Sequence, residues 1–110
     1  MIKHIVMWTI GEGETPRAKF ERMAEVKARI LGLKDVIHEI VSIEVFFNSP
    51  MAPGDNYDVV LISVFKSWAD LDTYKNHPAH IEVGEYIKNV KKNRAAIDYE
   101  FETNPPFLNE

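Results

Sequence analysis

Cysteine is absent from the 110 residues, which excludes disulfides, thiolate nucleophiles, iron–sulfur clusters and cysteine-ligated zinc, and which fits a reducing compartment. Positive charge is in deficit. Thirteen Lys and Arg against 17 Asp and Glu leave a net charge of -4, so nothing draws the chain electrostatically to a phosphate backbone or an anionic membrane. No nucleic-acid and no membrane partner is therefore expected. Long apolar runs are missing as well. The opening stretch reaches Glu12 before it attains the length of a signal-peptide core or a membrane span, and a cytoplasmic location is the expectation. Gly11-Glu12-Gly13 lacks the further glycine of a dinucleotide loop, no phosphate-loop pattern occurs, and Ser42, Ser49, Ser63 and Ser67 have no nucleophile-elbow glycines. There is no internal repeat, low-complexity tract or Gly/Ser linker. What is present, 45% apolar and 27% charged, suits one domain with a single core, assigned to residues 1–102, with a tail over 103–110.

Alternation dominates the apolar pattern. Ile2, His4, Val6, Trp8 and Ile10 share one side of a period-two stretch, while Ile5 and Met7 keep the other side apolar, which predicts a strand covered on both faces. Thr15 and Pro16 supply an N-cap and first helical position, and apolar residues Phe20, Met23, Ala24, Ile30 and Leu31, with Val26 beside them, predict a helix from Pro16 to Leu31 stopped at Gly32. A second strand is expected over Val36 to Phe47 and a third over Tyr57 to Lys66, joined as a hairpin through the turn-rich Asn48 to Asn56. Ser67 caps a short helix from Trp68 to about Tyr74 or Lys75, Pro78 interrupts it, Ala79 to Lys91 is again helical, and Ala95 to Phe101 closes with a strand.

This order is the ferredoxin-like βαββαβ arrangement, an α+β fold with a four-stranded antiparallel sheet and helices on one face. Apolar residues on the uncovered face then predict a homodimer packed sheet against sheet. In the tail, Phe107 and Leu108 either anchor the segment on the partner subunit or leave it disordered.

Histidine carries the chemical information. Tyr74-Lys-Asn-His77-Pro-Ala-His80 brings a phenol and two imidazoles together, a pair of groups able to divide proton transfer, with neutral His80 as base and Tyr74 hydrogen-bonding the oxygen that gains charge. The competing expectation is architectural: His77 near a helix N-cap, with Tyr74 and His80 filling the interface between helix and sheet. His4, in phase with Val6 and Trp8, joins the cluster if their face is the helix-covered one. Residues His4, Val6, Trp8, Phe20 and His77 are the candidate ligand contacts. The histidine spacing matches no zinc motif, and no metal and no cofactor is required by any of these readings. The basic residues Lys88, Lys91, Lys92 and Arg94 read as a solvated helix end. The aromatic residues Trp8, Trp68, Phe20, Phe46, Phe47 and Phe65 read as core.

Four segments, Ile2 to Trp8, Tyr57 to Phe65, His77-Pro-Ala-His80 and Asp98-Tyr-Glu100, together resemble the stress-responsive A/B barrel (Dabb) domain over about residues 1 to 102. The most specific is His-Pro-x-His preceded by a tyrosine. The resemblance implies a dimeric α+β barrel, in a family whose members mostly lack an assigned reaction but which includes cyclases of the olivetolic acid type. It further implies that Tyr74 and His80 stand at the positions of the cyclase's catalytic tyrosine and histidine, with His4 lining the same cleft. Two departures stand out: Glu44-Val45-Phe46 replaces a frequent glycine, bulk expected to narrow a cavity, and Asp58 stands where the cyclase has another histidine. Three functions follow as expectations: binding of a small apolar or polyketide-like molecule, a cofactor-free cyclase or lyase, and a structural dimerisation module.

Overall fold

The computed structural model describes residues 1–102, and the tail expectations for 103–110 lie outside the described residues. The elements run β1 (Ile2–Ile10), α1 (Pro16–Gly32), a 3-10 turn (Leu33–Asp35), β2 (Ser42–Phe47), β3 (Val59–Phe65), α2 (Trp68–Asn76), α3 (Pro78–Val90) and β4 (Lys91–Glu100). They form one antiparallel sheet in the order β2-β3-β1-β4, the ferredoxin-like arrangement. No described helix is long and apolar enough to cross a membrane.

Strict alternation in β1 buries Ile2, His4, Val6, Trp8 and Ile10 and leaves the intervening residues partly exposed. Cross-strand register carries this division through the sheet, since Val6 faces Leu61 of β3 and Ala96 of β4, and His4 faces Ser63 and Asp98. One side is closed by the helices. Val26 and Ile30 of α1 and Ile87 of α3 pack on Val6, Trp8, Val45 and Leu61, while Leu71 and Tyr74 of α2 pack on Ile2 and Phe65. The other side presents Phe46, Val60, Met7 and Ala95 in one row and Glu44, Ile62, Ile5 and Ile97 in the next, an apolar face open in the single chain.

Four expectations shift. Residues 36–41 are not the start of β2: Ile37 N–H donates to the Leu33 carbonyl at 2.9 Å, and this turn buries Leu33, Ile37 and Ile40 against the end of the sheet at helical spacing. Tertiary burial here overrides strand propensity. In α1 the inward stripe is Met23, Val26 and Ile30, continuing to Leu33, so Phe20, Ala24 and Leu31 lie outside it. The basic run belongs to β4 more than to the helix end, because β4 starts at Lys91 directly after α3. Of the aromatic residues expected in the core, Trp8 and Phe65 are buried, whereas Phe20, Phe46 and Trp68 are exposed. Phe46 projects from the open sheet face, Trp68 donates its indole N–H to Glu100 at 2.7 Å, and Phe20 stacks edge-on with Phe47.

Candidate functional site

A cavity of about 140 Å³ lies between sheet and helices. Its floor is the inward face of the sheet, with His4, Val6 and Trp8 from β1 and Leu61 from β3, and its roof is Tyr74 from α2 with His80, Val83, Gly84 and Ile87 from α3. Gly84 opens the roof. A Cβ built there meets nothing within 4 Å, so the missing side chain leaves space at this turn of α3.

His77 sets the angle between the two helices. Its backbone N–H donates to the Tyr74 carbonyl at 3.2 Å, ending α2, and its Nδ1 accepts from the Ala79 N–H at 3.0 Å, capping α3, with Pro78 at the first helical position. This junction turns Tyr74 and His80 toward each other, with ring centroids 4.4 Å apart. His77 itself does not line the cavity, and neither does Phe20. The sequence-based candidates that the structure does bring together are His4, Val6, Trp8, Tyr74 and His80.

Each polar group has a defined protonation bias. His80 Nδ1 lies 3.1 Å from the Lys75 carbonyl, and a carbonyl only accepts, so Nδ1 carries the proton and Nε2 keeps its lone pair. Burial holds the His80 imidazole below its ordinary value, partly opposed by that hydrogen bond and reinforced by the neighbouring His4, Lys75 and Arg94 charges. Tyr74 is only 1% exposed, and burial pushes its phenol well above the usual range, so it remains a protonated donor. His4 donates Nδ1–H to Asp98, whose other oxygen lies 3.7 Å from Lys75 Nζ. Burial lowers His4 despite the Asp98 carboxylate. Among the described residues no cluster of His, Asp and Glu has the geometry to hold a metal ion.

The two departures from the family pattern fall elsewhere. Glu44 and Phe46 point to the open sheet face while Val45 alone turns inward, so their bulk does not narrow this cavity. Asp58 accepts from the Ile10 N–H at 2.8 Å and pairs with Lys19 at 3.3 Å, holding the β1 end and α1 together away from the cavity. Lys88 and Arg94 are exposed, as expected of a solvated helix end, and together with the half-buried Lys91 they also line the cavity. The placement of Lys91 depends on a register irregularity that the residue pattern does not advertise.

The class that fold and site define is a ferredoxin-like α+β domain with a small tyrosine–histidine cavity beneath its helices. The chain belongs to the Stress responsive A/B Barrel Domain (Dabb) family, whose profile matches residues 2–101. The stress-response A/B barrel domain-containing protein DABB1 of Arabidopsis thaliana is 23% identical over 109 residues, covering 98% of this chain and 50% of that protein, so the chain spans half the length of this curated relative. A crystal structure of a dimeric protein of unknown function and ferredoxin-like fold from Bacteroides fragilis matches with a TM-score of 0.80 and 34% identity, over 91% of this chain and 95% of that one. The hydroxynitrile lyase of Passiflora edulis matches with a TM-score of 0.76 over 96% of each chain, but at 15% identity it shows the fold alone.

Proposed function

We propose that the protein binds a small, largely apolar molecule in the cavity beneath α2 and α3, with the polar end of that molecule at Tyr74 and His80. The observation that carries this reading is the cavity itself, a space of about 140 Å³ with Val6, Trp8, Leu61 and Ile87 as apolar wall and a phenol–imidazole pair at one side. Cavities near 150 Å³ accept a single aromatic ring, which sets the size of the ligand. The probe is benzyl alcohol, titrated by NMR. Saturable shifts at Val6, Trp8 and Ile87 are expected, and Gly84→Leu, which places a side chain in the open space, abolishes them. Shifts that do not saturate, or that persist unchanged in Gly84→Leu, overturn the reading.

A second reading, a cofactor-free cyclase or lyase, is favoured by the tautomer of His80. With Nδ1–H held by the Lys75 carbonyl, the Nε2 lone pair is the basic site, and Tyr74 is a donor for an oxygen that gains charge when a proton α to a carbonyl is removed. Proton removal is measurable without knowing the natural substrate, as deuterium exchange into pentane-2,4-dione above the buffer rate. His80→Ala then loses roughly a hundredfold to ten-thousandfold of the exchange rate. Exchange unchanged by this substitution removes His80 as the base. As a third element, the open sheet face is assigned to a homodimer packed sheet against sheet, supported by its rows of Ile5, Ile62 and Ile97 and by the dimeric Bacteroides fragilis neighbour.

A further inference from the structure

The rim of the cavity contradicts the charge balance of the molecule. The chain carries a net charge of -4, yet the residues around the cavity include Lys88, Lys91 and Arg94 and no carboxylate. Among the described residues, none of these cations lies within ion-pair distance of an Asp or Glu. Lys88 has a local explanation, since it sits in the last turn of α3, where a cation complements the helix dipole. Lys91, the C-cap of the same helix, shares that explanation, whereas Arg94, three residues into β4, does not.

Their orientation is produced by an irregularity in β4. Arg94 pairs with Trp8 and Asn93 with Thr9, but Ile10 pairs with Lys91, so Lys92 is skipped in the ladder. In an unbroken strand Lys91 would stand one alternation away from Arg94 and project from the open sheet face. The extra residue reverses that and puts Lys91 on the same inward side as Arg94, opposite the fully buried Ile10. Re-aiming a side chain in this way is a recurrent use of bulges beside functional sites. Unbroken alternation would have set Lys92 on that inward side, so the irregularity exchanges Lys92 for Lys91, which lines the cavity together with Arg94 where no carboxylate does.

Building on the proposal that the cavity binds a ligand, we infer that the ligand is a small organic carboxylate: its anionic head sits at the rim between Lys91 and Arg94, and its apolar body lies against Val6, Trp8 and Ile87. The planar guanidinium of Arg94 suits a carboxylate, to which it can offer two parallel N–H donors. An anion here also relieves the mutual repulsion of the rim cations. The head group and the Tyr74–His80 pair then grip different parts of the molecule, which fixes its orientation in the cavity.

Benzoate and benzyl alcohol share a ring and differ in charge, so their dissociation constants, measured by NMR on the full chain, test the inference. Benzoate is expected to bind roughly tenfold or more tightly than benzyl alcohol at low salt. That advantage should disappear in the double variant Lys91→Gln with Arg94→Gln and be reduced but not lost in Arg94→Lys, which keeps the charge and loses the paired donors. Native amide shifts in α1 and β3, away from the rim, verify in each variant that the chain is still folded. Equal affinity for the two probes, or an advantage that survives the double variant, overturns the carboxylate inference and leaves the cavity proposal standing. Tighter binding of phenyl phosphate than of benzoate also overturns it, replacing the carboxylate with a phosphate head. Failure of both probes to reach the cavity overturns the ligand-binding proposal itself.

Discussion

The imidazole of His80 donates from Nδ1 to the Lys75 carbonyl, and that of His4 donates from Nδ1 to Asp98. Both rings are held below their ordinary value by burial, which gives stability a defined pH dependence. For a base whose native value is lowered, the unfolded chain binds more protons than the native one between the native value and about 6.5. Stability is therefore highest above that range and falls as the medium is acidified through it. Thermal unfolding followed from about pH 7.5 to about pH 5.5 should show a decreasing Tm, each kcal/mol lost lowering it by roughly 4 °C. His80→Gln, which cannot take up a proton, should flatten the decrease. A decrease as steep in His80→Gln as in the native chain would remove His80 as its source.

At the scale of elements, α3 joins stability and access. Gly84 sits inside this helix with an ordinary negative φ and open space where its Cβ would be, so nothing in its backbone requires glycine. Gly84→Ala should raise stability by about 0.5–1 kcal/mol through helix propensity, read as a higher denaturant midpoint at constant slope. A decrease would mean that the turn around Gly84 is tighter than its geometry indicates. Much of this architecture was legible from residue patterns: alternation located β1 and β3, and Thr15-Pro16 and Ser67 located two helix starts. The first half of the expected β2 was misread because Ile37 and Ile40, both good strand formers, are used in a turn that plugs the end of the sheet. The same division holds in the site. His4, Tyr74 and His80 were identifiable because one strand phase and one helix junction bring them together, and both leave marks in the sequence. The inward facing of Lys91 was not legible because the skipped pairing of Lys92 is set by how β4 meets β1 and α3, which is tertiary information.

At the scale of the whole molecule, the two faces of the sheet differ in what covers them. Inward residues of β1 and β3 form the floor of the cavity, while Ile5, Ile62 and Ile97 occupy the opposite face, with Ile97 58% and Phe46 51% exposed in the single chain. The proposed sheet-to-sheet dimer would bury these side chains without touching the cavity lining. Burial of one such residue contributes roughly 1.5–3 kcal/mol, and a two-fold axis makes each substitution count twice. Light scattering on a sizing column should therefore give a particle of twice the 12.7 kDa chain mass, and Ile97→Lys should weaken the dimer by about a hundredfold or more. A native chain that runs as a monomer at micromolar concentration removes the sheet-face assignment. The same variant separates binding from assembly: because Ile97 faces away from the cavity, monomeric Ile97→Lys should still bind benzyl alcohol with native affinity. If binding disappears together with the dimer, the two sheet faces are coupled, and the dimer rather than the single chain is the functional unit.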